Sequence, residues 1–148
     1  MAPHTPALHE IEAWVFDLDN TLYPASVNLF HQIDMRMKAF ISQNFGLTPD
    51  EAFALQKHYY HSFGTTLRGL MVNHDIDPDA FLEFVHDIDH SVLPADPHLD
   101  EALQLLPGRK FVYTNGSERH AERVLECLGI ANHFSEVYDI RASGYIPK

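Results

Sequence analysis

The sequence predicts an α/β fold: a parallel-sheet core with an all-helical segment inserted after its first strand. Three observations lead there. A short apolar run, Glu12-Ala13-Trp14-Val15-Phe16, stops abruptly at Asp17, as a buried strand does where it meets a polar loop. A block of roughly 70 residues with helical periodicity follows. From Lys110 onward the pattern returns to strand, helix and strand.

Each element has a local cause. Residues 26–45 read as one helix, with Val27, Phe30, Ile33, Met37, Phe40 and Ile41 largely on one face and Gly46 just beyond its end. Thr48-Pro49-Asp50-Glu51 is a capping box with proline at the first helical position, and opens a second helix. Further helices are expected at about 66–74, at 78–87 behind an Asp77 cap, and from Asp96-Pro97 to Leu106, where Pro107-Gly108 ends it. Residues 110–113 form a second apolar strand that ends in Thr114-Asn115-Gly116. Ser117 then caps a helix with Ala121, Val124, Leu125 and Leu128 at helical spacing, closed by Gly129. Residues 136–140 make a weaker third strand. The expected organisation is a disordered terminus at 1–9, an α/β core from 10–24 and 101–148, and a helical cap at 25–100.

Composition narrows the function. A chain of 148 residues that is 45% hydrophobic and 11% aromatic buries a core of its own and is not a disordered tail. Its single cysteine, Cys127, excludes a disulfide framework and reads as packed in its helix, not reactive. No apolar run approaches the roughly 20 residues of a membrane span. The opening MAPHTPALHE lacks the basic flank and apolar stretch of a secretion signal, so a cytoplasmic protein is expected. Net charge is −11, and residues 25–100 carry eleven acids against four Lys and Arg, so no basic stripe is available for nucleic acid. An acidic protein still holds a small phosphorylated ligand if a divalent cation and a few local donors neutralise it.

The chemistry concentrates at Asp17-Leu18-Asp19-Asn20-Thr21. Two carboxylates at i and i+2 past a buried strand can enter one crevice while Leu18 points away. One can then act as nucleophile and the other as proton carrier, in an oxygen-rich pocket suited to Mg²⁺. Without that chemistry the segment is an acidic turn. An EF-hand loop is rejected, because Leu22 stands where glycine is required and Asn28 where the bidentate glutamate belongs. Gly-rich phosphate loops and a Gly-x-Ser-x-Gly elbow are absent from the sequence.

Phe16-Asp17-Leu18-Asp19-Asn20-Thr21-Leu22 resembles the first motif of the haloacid dehalogenase-like phosphohydrolases. Thr114 in Val112-Tyr113-Thr114-Asn115-Gly116 matches the family's second motif, and Lys148 in Gly144-Tyr145-Ile146-Pro147-Lys148 its third. Residues 16–24, 64–70 and 113–117 are most similar to the pyrimidine 5′-nucleotidase branch. The resemblance implies a Rossmann-like core, Asp17 as nucleophile through an aspartyl-phosphate, and Asp19 as general acid and base. It implies phosphate binding at Leu18, Thr114, Asn115 and Lys148, Mg²⁺ at Asp17 and the Asp19 carbonyl, and cap contacts to substrate from Thr65, Thr66 and Arg68. Asp19 favours a phosphate ester over a haloacid, since a halide leaves without a proton and an alkoxide does not.

The expected partner is a small phosphorylated substrate, a nucleotide, with no nucleic acid and no membrane. The family's fourth, acidic motif and two further strands have no match in this sequence, which reads as truncated after the third motif. The first strand would then be an exposed edge open to self-association. A rival reading is a non-catalytic or incomplete domain that needs a partner chain; a third is a sugar-phosphate phosphatase or phosphomutase of the same fold. His58 and His61, and His86 and His90, have one-face helical spacing but read as surface or half-buried histidines, and Tyr59, Tyr60 and Phe63 as cap core.

Overall fold

The computed structural model describes residues 3–148. Of the terminus expected to be disordered, residues 1 and 2 lie outside the described residues, while Leu8–Glu10 forms an exposed turn of 3-10 helix. The sheet has three parallel strands in the order β1 (Ala13–Phe16), β2 (Arg109–Tyr113), β3 (Glu136–Tyr138). Between β1 and β2 run α1 (Leu29–Phe45), α2 (Pro49–Phe63), α3 (Thr66–Asn73), α4 (Pro78–Val85) and α5 (Pro97–Leu105). Helix α6 (Glu118–Leu128) connects β2 to β3. The architecture is α/β with a helical insertion after the first strand, as the sequence predicts. No described helix is long and apolar enough to cross a membrane.

Caps mark the helix ends where the sequence places them. The Thr48 hydroxyl accepts from the Glu51 N–H, Asp77 and Asp96 cap α4 and α5, Ser117 caps α6, and Gly129 closes α6 at φ 77°. One expected helix is broken. Residues 25–27 form a 3-10 turn, Asn28 adopts a left-handed φ of 60°, and α1 begins only at Leu29. Asparagine tolerates this conformation. The kink lets Val27 and Leu29 join the core while Phe30 and Ile33 turn into the cap.

Two hydrophobic clusters result. Leu18, Leu22, Leu103, Val112, Val124 and Leu125 are among the residues that fill the space between the sheet and α6. Ile33, Phe40, Ile41, Tyr59, Leu70 and Phe81 fill the helical insertion. Ile140 belongs to the second cluster: β3 ends at Tyr138, two residues earlier than the sequence suggests, and the chain crosses to the cap.

The first strand, expected to be an exposed edge, is an edge of the described sheet with one open face. Phe16 and Val112 point toward the core, whereas Val15 is 66% exposed on the opposite face. Val112 packs against side chains of α5 and α6, and β1 pairs on one edge only among the described residues.

Helices α2 and α3 approach closely because Gly69 has no side chain. A Cβ built there would lie 2.3 Å from Tyr59 Cβ, an atom fixed to the α2 backbone. Gly69→Ala is expected to destabilise the fold by about 1–3 kcal/mol despite alanine's better helix propensity, read as a lower thermal midpoint.

Candidate active site

The loop after β1 is pinned by one buried side chain. Leu18 is fully buried, a burial worth about 2 kcal/mol, and its carbonyl accepts from the N–H groups of Thr21 at 3.2 Å and Leu22 at 3.0 Å. The left-handed Asn20, φ 59°, makes that turn possible. With Leu18 turned inward, Asp17 and Asp19 both face the cavity. The Leu18 side chain is sealed in the core, so only its backbone is left to meet a ligand.

Asp17 is held at both oxygens. The Thr21 hydroxyl donates to Oδ2 at 2.7 Å, and Lys148 Nζ donates to Oδ1. Lys148 in turn donates from Nζ to the Tyr113 carbonyl at 2.8 Å and from its N–H to Asn115 Oδ1 at 3.0 Å. Thr114 is buried at the end of β2, and its hydroxyl accepts from the Gly116 N–H at 3.0 Å. Asp17, Asp19, Thr114, Asn115 and Lys148 line one cavity of about 440 Å³.

Asp19 sits in a different setting. Its Oδ1 accepts from the Tyr23 hydroxyl at 2.6 Å and lies 2.8 Å from His120 Nε2. His120 Nδ1 is 2.9 Å from His90 Nε2, and the His86 ring stacks on His120 at 4.3 Å. Burial alone raises the Asp19 carboxyl, but the hydrogen bonds and charge of His120, with the Tyr23 hydroxyl, outweigh it and hold Asp19 below the ordinary value. Burial and the Asp19 carboxylate push the Tyr23 phenol well above its usual range, so it stays a donor. Burial, reinforced by His120, lowers His86 to about 3 and His90 to about 4.

These histidines correct the sequence reading. His58 and His61 are exposed and His86 half-buried, as expected, but His90 is buried, and both His86 and His90 meet His120. Sequence reasoning missed His120. Its signal was present: with Ala121, Val124, Leu125 and Leu128 it forms the buried stripe of α6, and it is the polar member of that stripe. Tyr59 is cap core, but Tyr60 is 54% exposed and stands on the cavity wall with Phe30.

The cap residues are placed unevenly. Thr65 and Thr66 line the cavity, yet their hydroxyls are engaged inside the cap, Thr65 accepting from the Arg68 N–H at 3.1 Å and Thr66 donating to the Gln56 carbonyl at 3.1 Å. Arg68 does not line the cavity: it stands two residues past Thr66 in α3, and Thr65, Thr66 and Leu67 line it instead. A larger open cleft of about 890 Å³ shares His86 with the cavity but contains neither Asp17 nor Lys148.

No group of three or more His, Cys, Asp or Glu side chains converges on a metal position among the described residues. The donors at hand, the Asp17 carboxylate and backbone oxygens, are all hard. They fit a magnesium ion that keeps much of its water and takes its other ligands from phosphate. A zinc site has no support here.

Residues 11–148 match the family model of the haloacid dehalogenase-like hydrolases. A curated relative, "Phosphate metabolism protein 8" of Saccharomyces cerevisiae, is 31% identical over 138 residues, covering 85% of this chain and 42% of that protein. The chain thus spans less than half the length of the curated relative it matches.

The two depressed histidines fix a pH response. Each is neutral in the fold and binds a proton on unfolding at a pH near 6.5. The unfolded state therefore holds more protons between about pH 4 and 6.5, and stability falls as pH drops through that window. The carboxylates lowered in the fold, Asp19 among them, act only below about pH 4. The thermal midpoint is expected to drop from pH 7 to pH 5, and His86→Gln to flatten that slope.

Proposed function

We propose a phosphomonoesterase: the chain belongs to the haloacid dehalogenase-like hydrolase family, and its cavity joins a nucleophile, a proton carrier and a phosphate-holding cation. The observation that supports this most is the convergence of Asp17, Asp19, Thr114 and Lys148 on one crevice from three separate stretches of chain.

In this reading an Asp17 carboxylate oxygen attacks phosphorus, the ester P–O bond breaks, and the leaving alkoxide takes its proton from Asp19. Asp19 then accepts a proton from water, whose oxygen attacks the aspartyl-phosphate and releases phosphate with Asp17 restored. Lys148 and Thr114 hold phosphoryl oxygens, and the lysine offsets the charge that builds in transfer. Asp19 is held ionised without substrate; a phosphate dianion beside it is a like charge that raises its proton affinity toward the acid role. Magnesium, held by the Asp17 carboxylate and the Asp19 carbonyl, would supply further neutralisation of the phosphoryl group.

The substrate we propose is a pyrimidine nucleoside 5′-monophosphate. The motifs at 16–24 and 113–117 support it, as do Phe30 and Tyr60, which give the cavity wall aromatic faces on which a base can stack. We assign the core to 10–24 and 101–148, the cap to 25–100, and the protein to the cytoplasm. A second reading, in which turnover needs protein surface laid against β1, is favoured by the 66% exposure of Val15 on an unpaired edge.

Phosphate release from UMP and CMP in the presence of Mg²⁺ tests the assignment. Asp17→Asn is expected to abolish release, and Asp19→Asn to lower kcat about 10²- to 10⁴-fold, the usual worth of a positioned acid-base group. Release unaffected by Asp17→Asn overturns the aspartyl-phosphate route. Release that appears only at concentrations where the protein self-associates favours the second reading.

A further inference from the structure

We infer that His120, itself oriented by His90, is a positioning residue that clamps Oδ1 of Asp19 and thereby aims Oδ2 at the leaving-group oxygen. The inference rests on the phosphomonoesterase reading for the role of Asp19, and on geometry for the clamp.

Both donors that reach the Asp19 carboxyl group meet the same oxygen. Tyr23 Oη lies 2.6 Å and His120 Nε2 2.8 Å from Oδ1, which leaves no site there for a proton. Oδ2 has no hydrogen-bond partner. It is not a sealed, orphaned atom either, because Gln56 Oε1 is the only buried side-chain oxygen or nitrogen without a partner among the described residues. The 15% of the Asp19 side chain that stays exposed opens into the cavity. A proton delivered to the substrate therefore leaves from Oδ2, as the ester P–O bond breaks and its electron pair goes to the departing oxygen.

The histidines continue the chain of hydrogen bonds away from Asp19. His120 is engaged at its other nitrogen as well, since His90 Nε2 stands 2.9 Å from Nδ1 and a hydrogen bond joins the two rings. The His120 side chain is wholly buried, and His86 stacks flat on it with 5° between the rings, so the imidazole has no freedom to swing. Tyr23 arrives from the loop that follows Asp19, whereas His120 lies 101 residues further on, in α6. The clamp thus joins the nucleophile loop to the first turn of the helix behind the phosphate-binding threonine.

The test separates positioning from simple folding by changing the leaving group. UMP expels an alkoxide that needs a proton, and p-nitrophenyl phosphate expels a phenolate that does not. His120→Phe is expected to lower kcat/KM for UMP about 10- to 100-fold, part of the acid's usual worth, while p-nitrophenyl phosphate changes by less than about threefold. His120→Gln, which keeps an N–H donor in reach of Oδ1, should recover most of the loss on UMP. Equal losses on both substrates, or no loss on either, overturn the inference, with thermal midpoints reporting whether each variant folds. If the unsubstituted protein turns over neither ester, the phosphomonoesterase reading fails. The clamp then stands or falls on imidazole proton and nitrogen NMR. A downfield His120 Nε2 proton that moves upfield in Asp19→Ala supports it, and one that does not move overturns it.

Discussion

Parallel pairing of β1 with β2 is the constraint on which the site depends. Phe16 lies opposite Val112, so the two strands end within one residue of each other and Asp17 and Thr114 emerge at the same end of the sheet. An antiparallel pair would send those ends apart. A slip of one residue would turn Val112, which is fully buried, to the open face of the sheet. The register is reinforced two residues beyond the strand by Leu18, which drops into the same core, and on the far side by the Thr114 N–H, which donates to the Tyr138 carbonyl at 3.0 Å. Chemistry at the carboxyl ends of parallel strands is the general habit of open α/β sheets, and here two short strands suffice for it.

That geometry leaves Asp17 and Asp19 two residues apart in unlike surroundings. Asp17 stays 43% exposed at its side chain and meets a lysine and a hydroxyl, one on each oxygen. Asp19 is drawn under the surface, where a lone carboxylate would prefer to be neutral. Tyr23 and His120 reverse that preference, and His90 and His86 complete a polar knot whose members are each hydrogen-bonded. Satisfying every member is what makes such a knot tolerable inside an apolar core. It also fixes side chains from the first loop, the segment before α5 and the head of α6 in one arrangement.

Much of this was legible in the sequence, and the rest was not for identifiable reasons. Helix starts at Thr48, Asp77, Asp96 and Ser117 are local chemistry, so short windows reveal them. Asp17 and Asp19 follow from an apolar run that stops. The break at Asn28 was hidden because Val27 and Phe30 keep helical spacing across it; only the need to feed two separate clusters decides it. The His86 and His90 spacing was visible, but its partner is a histidine some 30 residues away, and no periodicity reports a pairing between helices. Arg68 was expected, with Thr65 and Thr66, to contact substrate from the cap, yet helix α3 presents only the two threonines of that group to the cavity. Asp139 was read as part of a weak strand, whereas its carboxylate accepts from the N–H groups of Glu118 and Ala142, both at 2.9 Å, and turns the chain out of the sheet.

That turn explains why the lysine and the cap belong to one mechanical unit. After Asp139 the chain is tied alternately to core and cap. The Ile140 N–H donates to the Gly116 carbonyl at 3.1 Å while its side chain is buried in the cap cluster. Arg141 Nε and the Tyr145 hydroxyl both donate to Asp79 Oδ1 at 2.7 Å, in the first turn of α4. Pro147 lies 3.4 Å from where a side chain on Gly64 would begin, and Lys148 then returns to Asn115 and Asp17 in the core. A cap that swings away as one body must either break the Asp79 contacts or draw residues 140–148 with it. In the second case Lys148 leaves Asp17, and its positive charge leaves the cavity together with the cap wall. Opening the cavity and withdrawing the lysine from Asp17 are then a single event, set by nine residues that carry almost no secondary structure.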